Sequence, residues 1–415
     1  MRNFYMGLSC YYEEYYLARG KDGPNKGYVI RMNKDHSDKY YTKGIELKQN
    51  NKLLVKLRNN YLDNNYKTIF FKDKNIHNDG IESTAIIDYT IIKPTTQYLN
   101  DPLKFNKDEN EKLVNSCLSF VNGPNKLRLK GKIIITFEGK SGMYNYSMKD
   151  KILQSKCTGV TIYAFDYPGI AKSTGTCRDL IDFYYAGMGI VEKVFQDYPN
   201  INPEDVILQG NCIGSFIALK IQETYLLKHM KLRVIVNNAF NSIPEFVASQ
   251  KMIFSEPIMR SKPMINLVTN FLDNIGWDTR NFAKLYVKMD QSCVFTSYRH
   301  NDGNVFPVCS MRSRVIAYNA REKFINDMED IEDSKQKIEL LKQYDKLMDA
   351  IVVTSNKSKG EIHIHPARSM WSLHPFLNKS ETKLKHYHLF ELLNKFIKLS
   401  DKIIDLKSNK KKNLL

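Results

Sequence analysis

The chain has 415 residues, with 62 Lys and Arg against 45 Asp and Glu and a formal charge of +17. Hydrophobic residues make up 42% and charged residues 26%, a mixture that can bury a core and that excludes wholesale disorder, a collagen-like repeat and a coiled coil. Domain sizes of roughly 100 to 200 residues allow two or three domains, and one large domain with additions fits best.

Targeting and charge set further limits. The N-terminal apolar run, Phe4 to Cys10, is broken by Gly7 and Ser9 and followed at once by Glu13 and Glu14, which does not read as a secretory signal. No stretch reaches the roughly 18 apolar residues of a membrane-spanning helix. The seven cysteines are odd in number and scattered, without a C-x-x-C pair or zinc-finger histidines. This predicts a reducing, cytoplasmic compartment, no structural metal and no cofactor. No Lys/Arg block interleaves with aromatic residues, so nucleic acid is not an expected partner. The excess charge reads as lysines spread over a solvated surface, or as attraction to an anionic membrane. Lys410, Lys411 and Lys412 form a local basic cluster in a C-terminal tail, 400–415, expected to be frayed.

In chain order, residues 1–65 read as a β-rich N-terminal extension, with short extended segments at 27–32 and 52–57 separated by Asn, Asp and Gly turns; similar segments continue at 67–71 and 82–92. Residues 108–121 place Leu113, Cys117, Leu118 and Val121 at helical spacing before a Gly123-Pro124 stop. Between 132 and 239, apolar runs (132–137, 160–165, 205–210, 232–240) alternate with amphipathic helical segments (145–154, 180–197, 213–227). That alternation predicts an α/β fold with a mostly parallel central sheet flanked by helices. Residues 244–290 break the rhythm and read as an inserted helical lid. A strand at 293–298, a charged helical region at about 310–348 and a last helix at 381–399 complete the core, which divides into 66–243 and 291–399 around the lid.

The chemistry concentrates at Gly210-Asn211-Cys212-Ile213-Gly214, set between an apolar strand and an apolar-faced helix. G-x-C-x-G at such a junction is a cysteine version of the G-x-S-x-G nucleophile elbow, where glycines two residues either side let strand and helix pack closely. The turn would hold Cys212 at a helix N-terminus, whose partial positive charge favours a thiolate. Its plainer alternative is a Gly-rich turn with a small buried cysteine. Upstream, Glu138-Gly139-Lys140 ends a strand, and Asp166, Gly169, Ser173 and Gly175 form a D-x-x-G-x-x-x-S-x-G turn after the next.

In this order the motifs resemble the α/β-hydrolase superfamily over roughly residues 66 to 399. The resemblance implies a catalytic acid and a histidine downstream. Asp302, in His300-Asn301-Asp302-Gly303-Asn304-Val305-Phe306-Pro307, looks like the family's D-x-x-V-x-P acid turn, with a plain Asp-Gly turn as the alternative. The family's histidine lies in the loop after the last strand, which selects His374 if that strand is 361–365. His365 is a rival, and His363 and His365 both enter the loop if the strand is 350–354. The backbone N–H groups of Ile213 and Lys140 would form the oxyanion hole. Glu138 stands where enzymes similar to dienelactone hydrolase carry a glutamate beside the thiol, and it reads either as an auxiliary proton acceptor or as a salt-bridging residue.

The implied activity is hydrolysis of an ester, thioester or lipid acyl bond through an acyl-cysteine formed by Cys212, His374 and Asp302. The alternative is a catalytically inactive hydrolase-fold scaffold that binds a host protein or an anionic membrane. The elbow, the Asp166-Tyr167-Pro168-Gly169 turn and the Asn/Lys-rich N-terminus also look like the chlamydial and SidB-type hydrolase-fold proteins of intracellular bacterial pathogens. That likeness implies delivery into a host cell.

Overall fold

Apolar runs without alternation become strands buried on both faces. In the computed structural model, Ile133–Phe137 (β3), Arg233–Asn237 (β6) and Val294–Ser297 (β7) are buried at every position, and Thr161–Phe165 (β4) and Val206–Asn211 (β5) at most positions. The structure describes residues 51–56, 84–94, 129, 131–139, 144, 147–168, 170, 173, 180–249, 262–274, 280–297, 310–348, 351–352, 386–387 and 389–413. Asn51–Lys56 (β1) and Thr84–Ile92 (β2) pair antiparallel, and β2 pairs antiparallel with β4. From β4 onward neighbouring strands are parallel, in the order β1-β2-β4-β3-β5-β6-β7. This is the sheet of an α/β-hydrolase fold. Its first strand, β1, lies inside the stretch read from sequence as an N-terminal extension. Of the other extended segments expected before residue 80, those at 27–32 and 67–71 fall outside the described residues, as does the expected helix at 108–121.

The helices follow their apolar faces. Met148–Thr158 (α1) starts three residues later than its pattern suggests, and it ends at Gly159, which caps it with a left-handed φ of 77°. Leu180–Asp197 (α2) and Gly214–Leu227 (α3) match expectation. Residues 244–290 hold most of Ile243–Ser249 (α4), and Lys262–Asn274 (α5) and Phe282–Lys288 (α6). Phe282 of α6 stacks on Phe216 of α3 at 3.9 Å, which anchors α6 on α3, and Phe240, just beyond β6, meets the same ring edge-on at 4.6 Å. Met311–Ala317 (α7), Ala320–Asp327 (α8) and Ser334–Met348 (α9) fill the charged helical region. Ile351–Val352 (β8) pairs parallel with His386–Tyr387 (β9) in a separate small sheet.

The last helix differs from expectation. Leu389–Asn413 (α10) runs through the basic segment expected to fray. Ile403 is fully buried, and Asp401 bonds both Lys132 Nζ, at 3.0 Å, and the Arg233 guanidinium. Buried apolar contacts and ion pairs together continue the helix where sequence composition alone suggests a tail. Among the described residues no helix is long and apolar enough to cross a membrane.

Candidate active site

Cys212 occupies the turn between β5 and α3 with a left-handed φ of 54°. For a residue with a side chain that conformation costs on the order of 1–2 kcal/mol, so the surroundings must impose it. They do so through two glycines. A Cβ on Gly210 would lie 2.4 Å from Ser215 Cα, and one on Gly214 would lie 2.3 Å from the Phe137 carbonyl oxygen. Helix α3 therefore starts against the end of β3 at a distance no other residue permits. The Cys212 N–H donates to the Asn237 carbonyl at 3.0 Å, and the Ser215 N–H donates to the Cys212 carbonyl at 3.1 Å. Among the described residues the Ile213 N–H at the head of α3 has no acceptor.

The next strands deliver polar groups to the same edge. A Cβ on Gly139 would lie 3.2 Å from Cys212 Cβ, so the end of β3 lies directly against the Cys212 turn. Glu138 sits one residue earlier, and its Oε1 accepts from Ser147 Oγ at 3.1 Å and from Lys151 Nζ. Both partners of this ion pair are largely buried, with side-chain exposures of 12% for Glu138 and 5% for Lys151. Of the two sequence readings of Glu138, the salt-bridging contact is present. Directly after β4, Asp166 is enclosed, with one carboxylate oxygen accepting the Tyr144 N–H at 2.9 Å and Oδ2 without a partner among the described residues. Burial pushes its carboxyl well above the ordinary range, against the hydrogen bond from Tyr144. Tyr144 Oη donates to Asp88 Oδ2 at 2.6 Å, and Ser173 Oγ joins the Asp88 N–H and the Asp166 carbonyl at 2.8 Å each. Ser173 thus braces β2 against the end of β4.

Cys212 is itself 5% exposed. A second free thiol, Cys293, precedes β7, and burial pushes it up to about 12. Asp302, His374, His365, His363 and Lys140 lie outside the described residues. The structure thus brings Cys212, Ile213 and Glu138 to one edge of the sheet. Sequence reasoning missed Lys151 and Ser147 as the partners of Glu138. The i, i+4 spacing of Ser147 and Lys151 was the available signal, but only the fold turns it toward the end of β3.

No family model matches the chain, and no curated protein does. Among solved structures it is similar to an α/β-hydrolase from Vibrio vulnificus, with a TM-score of 0.34 and 12% identity over 41% of this chain and 57% of that one. It is also similar to the Pyrococcus furiosus esterase Pf2001, with a TM-score of 0.33 and 13% identity over 48% and 69% of the two chains. A third likeness is to an acylaminoacyl peptidase from Pyrococcus horikoshii, with a TM-score of 0.35 and 13% identity over 58% of this chain and 34% of that one. The chain thus spans 57% of the Vibrio protein's length. The fold class stands on strand order and on the Cys212 turn.

Proposed function

We propose that the protein is a hydrolase that cleaves an ester, thioester or lipid acyl bond with Cys212 as nucleophile. The observation that carries this reading is the left-handed turn at Cys212, φ 54°, wedged between Gly210 and Gly214. A buried cysteine that merely filled space would need no such backbone. In the proposed reaction His374 takes the thiol proton, Asp302 orients the imidazolium, and the thiolate attacks the acyl carbon. The Ile213 and Lys140 amides receive the oxyanion, each contributing roughly 3 kcal/mol. The leaving alcohol or thiol departs with the proton from His374, and water then hydrolyses the acyl-cysteine, returning the free thiol and a carboxylic acid. Action inside a host cell, in the manner of the chlamydial and SidB-type proteins, belongs to this proposal.

Purified protein and a Cys212→Ala variant, assayed on short acyl thioesters and esters, provide the test. The expected loss in the variant is on the order of a thousandfold or more in kcat/KM. Cys212→Ser should retain part of the esterase activity. Equal turnover by parent and Cys212→Ala ends the proposal.

The burial of Cys212 favours a second reading, a non-catalytic scaffold that binds a host protein or anionic membrane. It predicts no labelling of Cys212 by iodoacetamide at neutral pH and salt-sensitive vesicle binding that survives Cys212→Ala. Rapid labelling at Cys212 alone counts against it.

A further inference from the structure

The Cys212 turn has a counterpart one strand over. Asn211 and Asn237 are register partners at the ends of β5 and β6, and the residue after each is left-handed: Cys212 at φ 54° and Asn238 at φ 48°. The Cys212 N–H bonds the Asn237 carbonyl, and the Asn238 N–H bonds the Ser297 carbonyl at 3.2 Å. Paired strands run about 4.8 Å apart, so the backbone of Asn238 stands beside that of Cys212. Asn238 is 1% exposed, yet among the described residues neither its Oδ1 nor its Nδ2 has a hydrogen-bond partner. Asn241, three residues on and fully buried, is in the same state, while its backbone carbonyl accepts the Phe282 N–H at 2.9 Å. Asn211 Oδ1 is also unpartnered.

Buried polar atoms left unpaired typically cost about 1–3 kcal/mol each, and native proteins keep few of them. Two whole carboxamides in that state, one on a strained backbone, next to a second strained residue, mark a place built to meet a ligand. The chemistry of that ligand follows from the groups. A carboxamide donates and accepts, so a second amide can pair with it at both atoms. An anion would meet carbonyl oxygens as well as donors. Arg314 Nη2 lies 3.7 Å from Glu245 Oε2, so these two opposite charges offset one another, although Arg314 Nε and Glu245 Oε2 have no hydrogen-bond partner among the described residues. Ser297 Oγ is also engaged, donating to Asn237 Oδ1 at 2.6 Å.

We infer that Asn238 and Asn241 form a subsite beside Cys212 that binds an uncharged amide group of the acyl substrate. Only the identity of the ligand as an acyl substrate rests on the proposed hydrolase activity; the amide preference does not. The test is calorimetric binding to Cys212→Ala protein of three thioesters: S-butyryl-N-acetylcysteamine, the S-butyl thioester of N-acetyl-β-alanine, and S-butyl thiobutyrate. The first two carry an amide on the thiol side and on the acyl side, and the third carries none. At least one amide probe should bind tenfold or more tightly than S-butyl thiobutyrate. Asn241→Leu, which is nearly isosteric, and Asn238→Gly, which tolerates the left-handed backbone, should each reduce that preference to near unity. Asn241→Leu should also leave the melting temperature unchanged or higher, because an unpaired polar group is replaced by an apolar one. Absence of any amide preference, a preference untouched by both substitutions, or an equal weakening of all three probes with a fall in melting temperature would each overturn the inference. Turnover of the same probes by the parent protein is read separately. Its absence sinks the hydrolase proposal and leaves the amide preference standing.

Discussion

The two edges of the central sheet handle their polar groups in opposite ways. At the amino edge, Lys132 pairs with Asp205 at 2.7 Å and with Asp401 at 3.0 Å, buried Arg233 bonds Ser400 Oγ at 2.9 Å and Asp401, and Asp290 bonds Lys231 and the Ser292 hydroxyl with Lys407 3.8 Å away. Most charge there is paired, although Arg233 Nη1 and Gln291 Oε1 have no hydrogen-bond partner among the described residues, and the pairs clamp α10 to the start of β3, β6 and β7. At the carboxyl edge the backbone is left-handed at Cys212 and Asn238, the Asn238 and Asn241 amides and one oxygen of Asp166 have no partner among the described residues, and all are buried. The amino edge is mostly paired, although His229 before β6 is also left-handed at φ 57°, whereas the carboxyl edge brings two left-handed residues and unmatched polar atoms together at the ends of neighbouring strands.

The same contrast appears in the carboxyl groups. Burial raises Asp166, whereas burial of Asp290 is outweighed by Lys407, the Ser292 hydroxyl and Lys231 together, which hold that carboxyl below the ordinary range. Asp166, with a folded pKa above its unfolded value, contributes stability below the unfolded pKa that is lost as pH rises through its raised folded value. Asp290, with a depressed folded pKa, contributes stability above the unfolded pKa that is lost as pH falls toward the folded value.

The sharpest way to break the comparison is at the carboxyl-edge turn. Gly214→Ala forces a Cβ to 2.3 Å from the Phe137 carbonyl, and chemical denaturation should report a loss of about 3 kcal/mol or more, with activity lost alongside. At the amino edge, Asp401→Ala leaves Lys132 its second partner, Asp205, but strips buried Arg233 of its carboxylate. Because the Asp401 side chain is 39% exposed, the cost should be about 2 kcal/mol rather than the larger figure for a fully buried pair, and acyl turnover should persist at temperatures where the protein remains folded. A cost at Asp401 equal to that at Gly214 would erase the distinction between the edges. The smallest effects are in pH. Asp166→Asn keeps an acceptor for the Tyr144 N–H, so it should raise the melting temperature by a few degrees at pH 7 and little at pH 4. Asp290→Asn should lower it at pH 7 and converge with the parent in acid. Parallel pH profiles for the two variants would contradict the opposite shifts.

Much of this was legible before any fold was known. The mostly apolar runs at 132–137, 160–165, 205–210 and 232–240 correspond to β3, β4, β5 and β6, because a strand covered on both faces needs no polar alternation. Gly210 and Gly214 pointed to the turn at Cys212, because their spacing reports a steric requirement that lies within five residues. The ion pair of Glu138 with Lys151 was not legible, since it depends on α1 crossing the end of β3. The reach of α10 to Asn413 was equally hidden, because a Lys-rich segment looks like a tail until Arg233, Lys132 and Asp290 present it with partners. The unpaired amides of Asn238 and Asn241 carry no pattern at all, as asparagine in a turn is ordinary.

What the residue order determined alone was local: which segments are strands or helices, and that a cysteine stands on a glycine-flanked bend. Those properties follow from neighbours a few positions apart, through sterics and burial periodicity. Tertiary structure decided what meets what: β2 beside β4, the Glu138 carboxylate held by Lys151, α10 clamped to one edge, and the buried carboxamides of Asn238 and Asn241 left without partners among the described residues beyond the end of β6. Such contacts join residues from tens to nearly three hundred positions apart, and their energies arise only when packing removes water and selects each partner.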